Sequence, residues 1–136
     1  ERQKENKADL IAGVDLSSEP DEVADILIDL TRRETKVFSG QFARTLIEDL
    51  RGAAKVNKNP HRSAGFKVLK AADVPSVLLE LGYLSNPQDV QLLTSPTWRA
   101  KASEAVLASI NKFFSAKAGG NPLLGAAATG RGRPMR

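Results

Sequence analysis

Glu80 is the residue of this sequence best placed to do chemistry: a carboxylate that closes the apolar run Val77-Leu78-Leu79 and is followed by Leu81-Gly82. An ionised carboxylate in apolar surroundings costs on the order of several kcal/mol unless a cation or hydrogen-bond donors compensate it, so it calls for a partner or a job. The run is contiguous rather than alternating, which predicts a short strand covered on both faces. In open α/β sheets ligands bind beyond the carboxyl ends of the strands, which is where Glu80 falls. On the residues alone, the plainer reading has the stronger claim: a polar strand end, half exposed or paired with a nearby Lys or Arg.

His61 is the only histidine. It sits in an Asn/Pro-rich stretch, Asn57 to Arg62, which reads as a loop and makes it a surface residue before it makes it a ligand. A hydrolytic zinc centre needs about three protein ligands and one position open for water, and one histidine cannot supply that. The chain has no cysteine, which removes disulfides, thiolate nucleophiles and thiolate zinc sites while leaving the compartment open. Phosphate-binding glycine loops, a GxSxG elbow and HExxH are all missing from the sequence. Lys55, Lys58, Arg62, Lys67 and Lys70 could line a cleft for an anion, but a solvated face accounts for them more simply.

The elements that must position these residues are mostly helical. Glu1 to about Ala12 is rich in helix formers, with Gly13 as a stop. Ser17-Ser18 before Glu19-Pro20-Asp21 predicts a capped start, and Val23, Ile26, Leu27 and Leu30 form one apolar stripe to about Arg33. That stripe suits a core face first and a partner's groove second. Phe38, Phe42, Leu46, Ile47 and Leu50 continue the helical spacing to about Gly52; whether the two stretches join stays open. Gly65 to Lys70 alternates and predicts a strand, followed through Asp73 by the strand ending at Glu80. Asn86-Pro87 and Ser95-Pro96 each predict a capped helix start, the second leading to a helix that runs to about Ala116. Its apolar side, Trp98 to Phe114, is expected to lie on the sheet as core rather than as a stacking platform. Residues 118–136, with Gly/Pro content and Arg131, Arg133 and Arg136, predict a disordered basic tail.

With 136 residues this is one domain or part of one. A hydrophobic fraction of 41%, charged residues at 26% and a mean hydropathy of −0.28 describe a chain able to build a core, with no apolar stretch of the roughly 20 residues that span a bilayer. The net charge of +4 and pI near 9.6 owe much to the tail, and three arginines without interleaved aromatics are a weak nucleic-acid signal. Because the first residue is Glu1 and no signal segment follows it, the start is expected to be internal to a longer precursor, and two adjacent strands would need further strands upstream.

The stretch Ser63 to Asn86, with Asp73-Val74-Pro75-Ser76-Val77-Leu78-Leu79-Glu80-Leu81-Gly82-Tyr83-Leu84-Ser85-Asn86 at its heart, closely resembles the C-terminal part of zinc-dependent N-acetylmuramoyl-L-alanine amidases. The resemblance extends from about Glu1 to Ala116, and Glu5 to Val14 is similar to the start of the regulatory insertion of the Gram-negative cell-division subgroup. It implies an α/β fold, a twisted, mostly parallel sheet flanked by helices, present here as its C-terminal half within residues 1–117. It further implies a regulatory helical insertion at about 5–35 and a periplasmic hydrolase acting on peptidoglycan.

In that family zinc is held by two histidines and a glutamate, and the glutamate matching Glu80 is the general base. The resemblance also implies that Glu5 caps the metal in an autoinhibited state until an activator protein draws the helix away. The zinc-ligand motifs precede Glu1, and His61 matches none of them. The chain by itself is therefore expected to hold no catalytic zinc and to be inactive; a non-catalytic peptidoglycan- or activator-binding module is the alternative.

Overall fold

A computed structural model describes residues 11, 14–16 and 19–120. The expectations for Glu5, for the helix up to about Ala12, for the Ser17-Ser18 cap and for the tail beyond Gly120 lie outside these residues.

The two apolar stretches between Asp21 and Leu50 join into one helix, α1 (Asp21–Leu50), 30 residues and about 45 Å long. Asp21 and Glu22 place negative charge at its positive end, while Pro20 precedes it without a side-chain cap. No proline interrupts it, and it runs unbroken through Ser39-Gly40. Thr31, Ser39 and Thr45 turn their hydroxyls back onto the carbonyls of Leu27, Thr35 and Gln41, so the polar positions inside the helix are satisfied locally. It ends where Arg51 closes on the Ile47 carbonyl and Ala53 and Ala54 both turn back to Leu50.

The face that α1 buries runs through Ala24, Ile28, Thr35, Leu46 and Leu50. Its first half packs Ala24 and Ile28 against Leu16 and Ala72, with Ile11 alongside. The stripe expected to be core is turned outward instead: Ile26 is 60% exposed and Leu30 55%, with Val23 and Leu27 also exposed. The small Ala24 admits the chain around Leu16 and Ala72 to close range, which decides which face is covered.

The second half of α1 packs against α3 (Pro96–Gly120). Phe113 sits at the centre, its ring 5.1 Å from Phe42 and 6.5 Å, edge-on, from Phe38, with Phe114 beside it at 5.5 Å. Lys117 lies 4.3 Å above the Phe38 ring. Phe38 meets Lys117, Phe42 meets Phe113 and Asp49 meets Ser109, so the two helices run antiparallel. Between them comes α2 (Pro87–Thr94), which Asn86 caps by accepting from the Gln88 and Asp89 amides, as the sequence predicted. Ser95 accepts from Trp98 at the start of α3.

The expected α/β fold, with its twisted, mostly parallel sheet, is corrected: no strand forms among the described residues, and the architecture is helical. At Gly65 to Lys70 the alternation gives way to local bonds, Leu69 to Phe66 and Lys70 to Lys67, which wind Lys67–Leu69 into a 3-10 turn. From Ala71 to Asn86 the chain is irregular and has no ladder partner; Val74, Leu78, Leu79 and Leu81 are exposed. Apolar residues make a strand only beside another strand, and α3 covers α1 rather than a sheet.

Candidate functional site around Glu80

Glu80 lies in the irregular segment between the 3-10 turn and α2. Its side chain is exposed and makes no hydrogen bond or ion pair among the described residues. Neither expected compensation, a buried cation or a set of donors, is found there, because the carboxylate stands in solvent and needs none. Leu79 and Leu81 both line an open apolar trough of about 570 Å³ against α3, completed by Trp98, Ala102, Val106 and Ile110. Glu80, between them in sequence, does not line it. The alternation of successive side chains in an extended backbone sends the leucines to one side and the carboxylate to the other.

Two side chains distant from Glu80 hold its segment, and both are absent from the sequence-based expectations. Ser39, midway along α1, accepts from the Ser76 amide at 3.0 Å while its own proton goes to the Thr35 carbonyl at 2.8 Å. Asp89, in the first turn of α2, accepts from the Tyr83 amide at 3.0 Å. A tight turn links the same region, Asn86 donating to the Tyr83 carbonyl. Gly82 packs so closely on α2 that a Cβ there would come within 3.2 Å of Asp89 Cβ and 3.4 Å of Leu93 Cδ1. A side chain at Gly82 would therefore press on Asp89 and Leu93, and the bare glycine suits the close approach. Asp89 carried a signal, an acid three residues after a capping asparagine; Ser39, a serine inside a helix, carried none.

The remaining candidates stay apart from Glu80. His61, Lys55, Lys58, Arg62, Lys67 and Lys70 are all exposed, which fits the solvated reading. Among the described residues no three His, Cys, Asp or Glu side chains gather as a metal would need, so these residues do not fit a hydrolytic zinc centre by themselves. No described helix is long and apolar enough to cross a membrane.

One further polar cluster joins α1 to α3. Ser109, fully buried, donates to Asp49 Oδ2 at 2.8 Å and lies 2.9 Å from the Ala105 carbonyl, and Lys112 Nζ pairs with Asp49 Oδ1. The Lys112 ammonium first, then the Ser109 hydroxyl, hold the Asp49 carboxyl below its ordinary range.

The family model described as N-acetylmuramoyl-L-alanine amidase matches residues 7–112. The chain is 34% identical over 113 residues to the N-acetylmuramoyl-L-alanine amidase AmiC of Escherichia coli O6:H1, covering 83% of this chain and 27% of that protein. It is 28% identical over 112 residues to AmiA of Escherichia coli K12, covering 82% of this chain and 39% of that protein. Over 73 residues it is 37% identical to the probable cell wall amidase LytH of Staphylococcus saprophyticus, covering 54% of this chain and 25% of that protein. This chain thus spans between a quarter and two-fifths of the length of these relatives. No solved structure gives a significant match. With a family match that runs from Lys7 through α1, the Glu80 segment and most of α3, this chain belongs to the N-acetylmuramoyl-L-alanine amidase family.

Proposed function

We propose that this chain is the part of a peptidoglycan amidase that carries the general base, Glu80, for cleavage of the amide between N-acetylmuramic acid and L-alanine. The observation that carries the reading is the family match across residues 7–112, which includes a solvent-facing carboxylate that no side chain among the described residues neutralises or buries. A base must be open to water and unengaged before it can take a proton. The Glu80 carboxylate accepts a proton from water as the water oxygen bonds to the lactyl carbonyl carbon. It then returns that proton to the nitrogen of L-alanine as the carbon–nitrogen bond breaks, leaving a lactyl carboxylic acid and a free amine.

Zinc, as the family resemblance implies it, draws its ligands from residues other than the described ones. The isolated chain is accordingly proposed to bind no stoichiometric zinc and to release nothing from peptidoglycan. Metal analysis and a dye-release assay on the 136-residue chain test this, and stoichiometric zinc accompanied by turnover overturns it. In the complete enzyme, Glu80→Gln is expected to lower turnover by about 10²- to 10⁴-fold, the range that general bases contribute. Turnover at the unaltered level removes Glu80 from the reaction.

The site of action is proposed as periplasmic, where the substrate of such an enzyme lies. The outward stripe Val23, Ile26, Leu27 and Leu30 supports an activator protein as a partner for α1, since it leaves large apolar residues for a groove to take. Glu5 is kept as the proposed autoinhibitory metal ligand; Glu5→Ala in the complete enzyme should raise basal activity without activator. The second reading, a non-catalytic module binding peptidoglycan or an activator, is favoured by the lone exposed His61. Peptidoglycan pull-down by a complete protein that shows no turnover would select it.

A further inference from the structure

We propose that Ser39 and Asp89 are positioning residues that fix the segment carrying Glu80, one clamping it before the carboxylate and the other after it. This rests on the reading of Glu80 as the general base. Among the described residues the segment from Ala71 to Asn86 is irregular, and these two bonds join it to α1 and α2. A base must be held within a fraction of an ångström of its water.

The two clamps have the same form, a backbone amide donating to a side-chain oxygen, at 3.0 Å in each case. The first grips Ser76, four residues before Glu80, and the second grips Tyr83, three residues after it. Each acceptor is itself held. Ser39 spends its proton on the Thr35 carbonyl, which aims a lone pair at Ser76, and it belongs to the middle of a 30-residue helix. Asp89 stands at the positive end of α2, on the turn capped by Asn86, and Gly82 lets the chain lie flush against it. Ser39 lies 37 residues upstream of the amide it holds, so the first clamp also ties the base to α1.

The test uses the complete enzyme for kinetics and the 136-residue chain for amide exchange. Ser39→Ala and Asp89→Ala are expected to lower kcat by about 10- to 100-fold with KM changed less than about 2-fold, the signature of a misplaced catalytic group. Ser39→Thr keeps the hydroxyl and Asp89→Asn keeps an acceptor oxygen, so both should recover most of kcat. Exchange at the Ser76 amide should accelerate about 10-fold or more in Ser39→Ala, and at Tyr83 in Asp89→Ala, while the amides of α1 and α3 keep their protection. In a Glu80→Gln background neither alanine variant should lower the residual rate further, because both act through Glu80.

Wild-type kcat in both alanine variants, alongside a Glu80→Gln enzyme that has lost turnover, overturns the positioning role while leaving the base in place. A Glu80→Gln enzyme with full turnover overturns the base and with it any positioning toward it, even where the exchange data show both clamps. Acceleration spread uniformly over α1 and α3 assigns the two residues to general stability and also overturns the proposal.

Discussion

Ser109 of α3 and Asp49 of α1, 60 residues apart in the chain, meet through a 2.8 Å hydrogen bond from a fully buried hydroxyl to a carboxylate that also pairs with Lys112. The folded protein holds the Asp49 carboxyl below the ordinary value of 3.8, so the folded state prefers its charged form. That preference stabilises the fold in full above the unfolded-state value and is lost as pH falls through the lowered folded value. Acid titration followed by helix signal should therefore show the α1–α3 packing weakening below about pH 4. Asp49→Asn should flatten that part of the curve. Ser109→Ala should cost about 1 kcal/mol at neutral pH, measured by urea unfolding.

Phe113 joins three other rings, and Lys117 lies over Phe38 in the same cluster, 5.7 Å from the Phe113 ring. Truncation empties the centre of the contact between the two long helices. Phe113→Ala should lower unfolding stability by about 3 kcal/mol. Phe114→Ala, at a residue 63% exposed, should cost less than half as much in the same titration.

Asn86 accepts two amides at the start of α2. Asn86→Ala leaves those donors to water and should cost about 1 kcal/mol. Asn86→Asp keeps the acceptor and should restore the loss. Exchange of the Gln88 and Asp89 amides reads the cap directly.

Neighbouring positions on α1 separate covered from uncovered apolar surface. Ile28, 4% exposed among Leu16, Ala24 and Ala72, should cost about 2 to 4 kcal/mol as Ile28→Ala. Ile26→Gln, two residues away and 60% exposed, should change stability by less than about 0.5 kcal/mol. Equal losses at the two positions would mean that the helix is rotated about its axis from the position described.

The helices were legible because their signals are local. Asn86-Pro87 and Ser95-Pro96 marked the starts of α2 and α3, and the spacing of Phe38, Phe42 and Leu46 marked the second half of α1. The sheet was misread because contiguous apolar residues at 77–79 show only that a segment is apolar, and pairing depends on what lies beside it. The side of α1 that is covered escaped for a related reason: the large residues at 23, 26, 27 and 30 outweigh Ala24 in any periodic pattern, yet the small residue is where the chain approaches. Glu80 could be singled out because a carboxylate after an apolar run is conspicuous. Ser39 could not, since its partner amide is set by tertiary approach and a serine donating to the carbonyl four residues back looks like any other.

The buried hydrophobic residues among those described are Leu16, Ala24, Ile28, Leu46, Leu50, Ala72 and Ala102, three of them alanines. The described part of the fold covers little hydrocarbon and has correspondingly little to uncover when it melts. The contribution of these residues to the heat-capacity increment and the denaturant slope should be correspondingly small. A calorimetric scan would then trace a low, wide endotherm, and a destabilising change would register as lost cooperativity before it registered as a lower midpoint.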